Sequence, residues 1–300
     1  MPKYIDIHAH TNFEAFEEDR DQVISRALEN DTWVINIGTQ YDTSKKAVEI
    51  TNEYEGVYAT IGLHPIHTGA SFHDGTELGE EGKEFTSRGE IFDKEKYKEL
   101  ASQGKVVGIG ECGLDYYHMD EGSIEKQKIA FISQIEIANE LGLPLMLHVR
   151  NNPNTIHPTL SGTPQEGNLT HNSYFDVYEL IKKYSKVDGI KGVSHFFAGS
   201  VEDMKRFIEI GVCISFAGPI TYKPNLLICD YESVIKETPL DMILADTDSP
   251  YVAPAPHRGT RNEPLYVKDI VAKIAQIKGL EEEFVAKQIV LNAKKLFDLS

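Results

Sequence analysis

Cysteine is scarce in this sequence and positive charge is in deficit, and each shortage excludes something. Cys112, Cys213 and Cys229 are odd in number, scattered and without a C-x-x-C pair. That excludes a disulfide framework and reads as free thiols in a reducing compartment. Lys and Arg total 30 against 47 Asp and Glu, a formal net charge of −17. A broad electrostatic grip on a polyanion is therefore excluded, and any phosphate chemistry must use a local, metal-centred positive spot. No run of about 18 uninterrupted apolar residues exists, so nothing reads as a membrane span. The amino terminus enters a strand at once, without a basic region, apolar segment or cleavage site, and the expected location is the cytoplasm.

What is present is ordinary core-forming material, 41% hydrophobic and 26% charged over 300 residues. Such a length suits two average domains or one α/β barrel. Eight short apolar, β-branched runs stand out: Tyr4–His8, Trp33–Gly38, Val57–Gly62, Val106–Glu111, Pro144–His148, Gly192–His195, Val212–Phe216 and Met242–Asp246. Amphipathic segments separate them, the clearest being residues 124–141, which stop at Gly142-Leu-Pro, with two more near 265–278 and 281–297. Strand–helix alternation repeated eight times predicts an α/β fold, a (β/α)8 TIM barrel occupying residues 1–300 as a single domain.

Polar residues sit where those strands end. The first delivers His8 and His10, the third His64, the fourth Glu111, the fifth His148, the sixth His195, and the eighth runs into Asp246 and Asp248. In a parallel barrel all these ends open onto one face, the face on which barrel active sites are built. Strict alternation places Asp6, His8 and His10 on one side of the first strand, with Asp6 behind the histidines, and likewise pairs Ile109 with Glu111 and Leu244 with Asp246 and Asp248. Any one histidine reads as a capping or surface residue. Five of them with carboxylates on one rim read as a metal site. Imidazoles and carboxylates without thiolate suit zinc, manganese, magnesium, nickel or iron. Six ligands exceed one tetrahedral site, and Glu111 is placed to bridge two ions.

The motifs DIHAH, GLHP (62–65), GIGECGLDYY (108–117), LPLMLHVR (143–150), SHFF (194–197), DTDSPY (246–251), RNEP (261–264) and NAKKLF (292–297) resemble the TatD family of metal-dependent hydrolases, in order and over nearly the whole chain. The resemblance implies two divalent ions (Mg, Mn or Zn) and deoxyribonuclease activity that trims DNA ends. It implies that His8 and His10 hold one ion with Asp248, that Glu111 bridges, and that His148 and His195 hold the second. His64 would contact substrate phosphate, and Asp248 would accept the proton of the attacking water. Arg150, Arg258 and Arg261 lie just past strand-end motifs and offer charge-assisted bonds to phosphate, with surface salt bridges as the other reading. Asp115, Tyr116 and Tyr117 read as supports of the site. The family usually has Glu where this chain has Asp246, which with Asp6 is expected behind the ligands.

Two long loops depart from the family pattern. Residues 66–92 carry Asp74, Glu77, Glu80, Glu81, Glu84 and Glu90 against Lys83 and Arg88, while 151–173 hold no Lys or Arg. Both follow strands and belong to the catalytic face. The expected substrates are single-stranded DNA ends or short oligonucleotides, with neither a membrane nor a protein partner. Hydrolysis of a carbon ester, lactone or amide at the same ions is the alternative chemistry, and an inactive barrel kept for interaction is the alternative class.

Overall fold

The computed structural model describes residues 1–69, 71–73, 85–87, 89–117, 122–152, 172–186, 191–225 and 229–299. Its strands are β1 (Tyr4–Ala9), β2 (Thr32–Ile37), β3 (Val57–Ile61), β4 (Ser71–His73), β5 (Phe85–Ser87), β6 (Val106–Asp115), β7 (Leu145–Arg150), β8 (Gly192–Ser194), β9 (Val212–Phe216) and β10 (Ile243–Ala245). Eight of them form one parallel sheet in the order β1-β2-β3-β6-β7-β8-β9-β10. The ring closes just past β10. There Ala9 bridges Ser249, the His10 amide donates to the Ser249 carbonyl (2.8 Å), and the Asp248 amide donates to the His8 carbonyl (2.9 Å). This is the expected TIM-barrel architecture, with all eight strand ends on one face. Strands β4 and β5 pair antiparallel inside the 66–92 segment. The acidic run Asp74–Glu84 and residues 153–171 lie outside the described residues.

Helices α1 (Arg20–Glu29), α2 (Tyr41–Thr51), α3 (Lys94–Ala101), α4 (Ser123–Leu141), α5 (Ser173–Tyr184), α6 (Val201–Glu209), α7 (Tyr231–Glu237), α8 (Val267–Lys278) and α9 (Glu282–Phe297) follow from local signals. Gly142 ends α4 in the left-handed region (φ 68°), and Ser200 with Asp203 forms a capping box on α6. The apolar core is divided by the sheet. Outward-facing Ile61, Ile109, Leu145, Leu147 and Ile214 pack against the helices, while Ile5, Ile7, Ile35, Ile37, Met146, Val193 and Leu244 fill the barrel. Val290, Ala293, Leu296 and Phe297 of α9 join the inner cluster beside Trp33, Tyr58 and Val107, near the strands' amino ends, so α9 closes the end opposite the polar rim.

Two departures from alternation decide the site. Between Asp6 and Ala9, β1 carries one residue more than β2, since Asp6 pairs with Val34 and Ala9 with Asn36. Val34 and Ala9 both pack outward on Ala27 of α1, so Asp6 falls on the outer side and His8 turns inward. The expectation that Asp6, His8 and His10 share a face is corrected by this bulge. On β6, Ile109 pairs with Leu145 and Cys112 with Leu147, three residues against two. Ile109 and Cys112 therefore both point outward to the helices, and Glu111 points inward, opposite to Ile109.

Candidate metal centre

The bulge on β6 depends on Gly110. Its φ is 145°, and an added Cβ would stand 2.3 Å from the Met146 carbonyl oxygen, so only glycine lets β6 and β7 approach there. Glu111 is delivered into the barrel mouth almost fully buried, and its two carboxylate oxygens face different neighbours. Oε2 lies 3.4 Å from His8 Nε2 and 3.7 Å from His10 Nε2. Oε1 lies 2.9 Å from His148 Nδ1, 2.8 Å from His195 Nε2 and 3.4 Å from His64 Nε2. Asp248 completes the first group, with Oδ1 3.4 Å from His10 Nε2 and 3.6 Å from His8 Nε2.

Asp248 reaches the mouth because the backbone turns sharply after β10, with φ 56° at Asp248 itself. The Asp6 carboxylate holds that turn, accepting from the Thr247 amide (2.9 Å) and hydroxyl (2.6 Å) and from the His8 amide (3.3 Å). Asp6 thus ties β1 to the 246–249 turn and, among the described residues, supports no imidazole directly. Asn262, in the RNEP motif, clamps the same turn from outside through the carbonyls of Thr247 and Tyr251, both at 2.7 Å. No role for Asn262 could be read from the sequence, because a clamp between distant carbonyls leaves no spacing signal.

The imidazoles are oriented by their far nitrogens. His10 Nδ1 can only donate to the Ile37 carbonyl (3.2 Å), which leaves a lone pair on Nε2, 3.1 Å from His8 Nε2. His8 Nδ1 is buried with no partner among the described residues. Cation bonds of about 2.0–2.1 Å in a tetrahedral site set neighbouring nitrogens about 3.3 Å apart, close to the spacing seen here. His148 Nε2 faces Asp115 Oδ2 (3.0 Å), so Asp115 fixes the ring with Nδ1 toward Glu111. His195 has no such support. Its Nδ1 and the Asp246 Oδ1, 4.0 Å apart, are both buried without hydrogen-bond partners among the described residues. Asp246 Oδ2 instead accepts from the Ser215 hydroxyl and the Phe196 amide (3.2 Å).

Charge follows this geometry. Burial opposes ionisation of Glu111, yet His64, His195 and His8 outweigh it and hold the carboxyl well below its usual range. Asp248 is likewise lowered against burial, by the neighbouring His10 and His8 rings. Burial, with like-charged neighbours, pushes His8 down to about 3 and His64 down to about 4, so both are neutral. His148 overcomes burial through Asp115 and Glu111 and rises to about 9, so a cation entering beside it displaces a proton. Burial lifts Asp246 to about 6. Low-pKa carboxylates facing imidazoles, of which His8 and His64 are neutral and His148 gives up a proton to an entering cation, form a donor set that a divalent ion fits. Among the described residues, three overlapping sets have ligand atoms within 4.8 Å of one another: His8–His10–Glu111, His8–His195–Asp248 and His64–Glu111–His148.

Among the described residues, none of the three arginines makes a hydrogen bond or ion pair with this cluster. Arg261 is engaged by Asp19 through both terminal nitrogens (2.9 and 2.5 Å), donates to the Ala15 carbonyl and stacks over Phe16. The salt-bridge reading describes it, with both terminal nitrogens taken by the fold. Arg150 and Arg258 lie on tyrosine rings at the rim. Replacing Asp115 with Asn should weaken ion binding about 10–100-fold, as loss of a carboxylate behind a ligand histidine does, while the thermal transition moves little. Competition with a chelating dye measures this, and unchanged affinity would deny Asp115 the orienting part.

A family model described as TatD related DNase matches residues 5–298. A Bacillus subtilis (strain 168) protein described as the uncharacterized metal-dependent hydrolase YabD is 33% identical over 296 residues, covering 98% of this chain and 99% of its own. An Escherichia fergusonii protein named as a 3'-5' ssDNA/RNA exonuclease, TatD, is 28% identical over 300 residues, covering 98% of this chain and 99% of its own. In fold, the crystal structure of YJJV, a TatD homolog from Escherichia coli K12, superposes with a TM-score of 0.77 at 23% identity, over 99% of both chains.

Proposed function

This chain belongs to the TatD-related DNase family and is a metal-dependent hydrolase, and on that premise we propose that it cleaves phosphodiester bonds at the ends of single-stranded nucleic acid, using two divalent ions held around Glu111. The observation that carries the reading is the division of Glu111. One oxygen faces His8 and His10, which in turn face Asp248, and the other faces His148, His195 and His64. Such a carboxylate would hold two cations with one shared charge. When bound, the ions supply Lewis acidity toward the phosphoryl oxygens and lower the pKa of an attacking water.

The remaining work falls to the side chains. Asp248, its carboxyl held below the usual range on the His8–His10 side, would accept the proton of the attacking water. His64 acts differently from the other imidazoles. Its Nδ1 accepts the Ile66 amide (3.2 Å), so the neutral ring carries its proton on Nε2, the nitrogen facing the centre. An Nε2–H donates well to a phosphoryl oxygen and ligates a cation poorly. Asp115 keeps His148 turned toward Glu111, and the Asp6–Thr247–Asn262 clamp keeps Asp248 in place.

The preference for single-stranded ends rests on charge and on kinship. A net charge of −17 disfavours laying a long duplex against the protein, whereas an end brings one or two phosphates to the ions and leaves the rest in solvent. Relatives whose names include single-stranded DNA and RNA exonuclease activity support the same choice. A single-stranded oligonucleotide should be shortened much faster than supercoiled plasmid is nicked, with a weak dependence on salt. Equal rates on the two substrates would remove the end preference. Turnover of a small carbon ester with no cleavage of either nucleic acid would replace the reading with the alternative chemistry.

A further inference from the structure

The described arginines divide into two kinds. Arg20, Arg26, Arg206 and Arg261 donate to carbonyls or carboxylates of the fold, as Arg26 does to Glu263 and Arg206 to Asp203. Arg150 and Arg258 have no such acceptor among the described residues. Each is exposed and held instead on a tyrosine face, Arg150 3.9 Å from the Tyr117 ring centre and Arg258 4.7 Å from that of Tyr222. A guanidinium seated over a ring, with no acceptor among the described residues, has N–H groups to offer another ligand, and its planar fork matches phosphate.

Their places on the barrel are specific. Arg150 ends β7, two residues beyond His148, in register with Asp115, and its carbonyl accepts the Tyr116 amide at 2.7 Å. The Arg150–Tyr117 pair therefore stands directly beyond the His148–Asp115 side of the centre. Tyr222 follows the short turn after β9 and donates its hydroxyl to the Ala253 carbonyl (2.5 Å), joining the β9 end to the segment after β10 that carries both Asp248 and Arg258. The Arg258–Tyr222 pair stands on the Asp248 side.

We propose that Arg150–Tyr117 and Arg258–Tyr222 are two phosphate subsites for a single-stranded polynucleotide, one on each side of the Glu111 centre. A strand held by both has its scissile phosphate between them, at least one phosphate in from its end. Two fixed charges would let a chain of net charge −17 hold a polyanion locally. The proposal rests on the nucleic-acid reading above and names the contacts by which that substrate is held.

The test compares wild type with Arg150→Ala, Arg258→Ala and Arg150→Lys, on an eight-residue oligothymidylate and on bis(4-nitrophenyl) phosphate, across a salt series. Each alanine variant should raise KM for the oligonucleotide about tenfold, the scale of one charged hydrogen bond, with kcat and small-diester hydrolysis within about twofold of wild type. The slope of log KM against log salt should fall by about 0.7 for each arginine removed, the contribution of one phosphate contact on a single strand. Arg150→Lys should keep the salt slope but lose affinity, because an ammonium keeps the charge without the planar fork. Unchanged KM and slope in both alanine variants would overturn the subsites and leave the nuclease reading standing. If wild type does not cut the oligonucleotide, fluorescence anisotropy of the same labelled strand decides. Arginine-dependent binding would then uphold the subsites while removing the nuclease reading, and absence of binding would remove both.

Discussion

Glu111→Gln should leave a folded barrel that no longer retains its ions, and turnover should fall by about three orders of magnitude or more. The two side chains have nearly the same shape, so packing around the bulge on β6 is preserved. The charge is not. Both oxygens of Glu111 lie within 3.7 Å of imidazole nitrogens, two on one side and three on the other, and the carboxyl is held well below its usual pKa by those rings. A neutral amide offers one oxygen where an ion needs an anion, and turns its NH2 toward nitrogens that must present lone pairs. Elemental analysis after saturation and desalting should find two ions per wild-type chain and fewer in the variant. Full retention of both ions, with wild-type turnover, would show that the bridge is not needed.

Asp248→Asn should be nearly as severe, several orders of magnitude in rate, because one substitution removes both an ion contact and the proposed proton acceptor. Asp246, two residues earlier, makes the useful contrast. Asp248 Oδ1 faces His8 and His10 at 3.6 and 3.4 Å, whereas Asp246 is directed to Ser215 and Phe196 and stops 4.0 Å from His195. Asp246→Asn should therefore cost only about 10–100-fold, the scale of a residue behind the ligands. Steady-state rates at saturating ion concentration separate the two cases. Equal losses would mean that the two carboxylates share or exchange their parts.

Much of this centre was legible before any coordinates. Apolar runs spaced by amphipathic segments predicted eight strands, and the structure places each within a few residues of its expected limits, with Val212–Phe216 matching at both ends. The polar residues at those strand ends follow from the same reading, since a parallel barrel must put all its carboxyl ends on one face. His8, His10, His64, Glu111, His148, His195 and Asp248 do converge there.

Which way each residue points was a different matter. Alternation assigned Asp6 to the side of His8 and Glu111 to the side of Ile109, and one extra residue on β1 and another on β6 reversed both. A bulge is a mismatch between two strands, so neither strand's own sequence records it. Partner choice was equally hidden. Arg261 looked as available as Arg150 until the fold brought Asp19 to it, and Asn262 acquired its clamp only when the turn after β10 closed against β1. Residue type and order along the chain set the architecture, the donor chemistry and the face on which it gathers, because these depend on local periodicity and on the topology it implies. The tertiary structure alone decided the division of Glu111 between two groups of histidines, the tautomer of His10, and which arginines have no acceptor among the described residues, because each depends on the distance between atoms far apart in sequence.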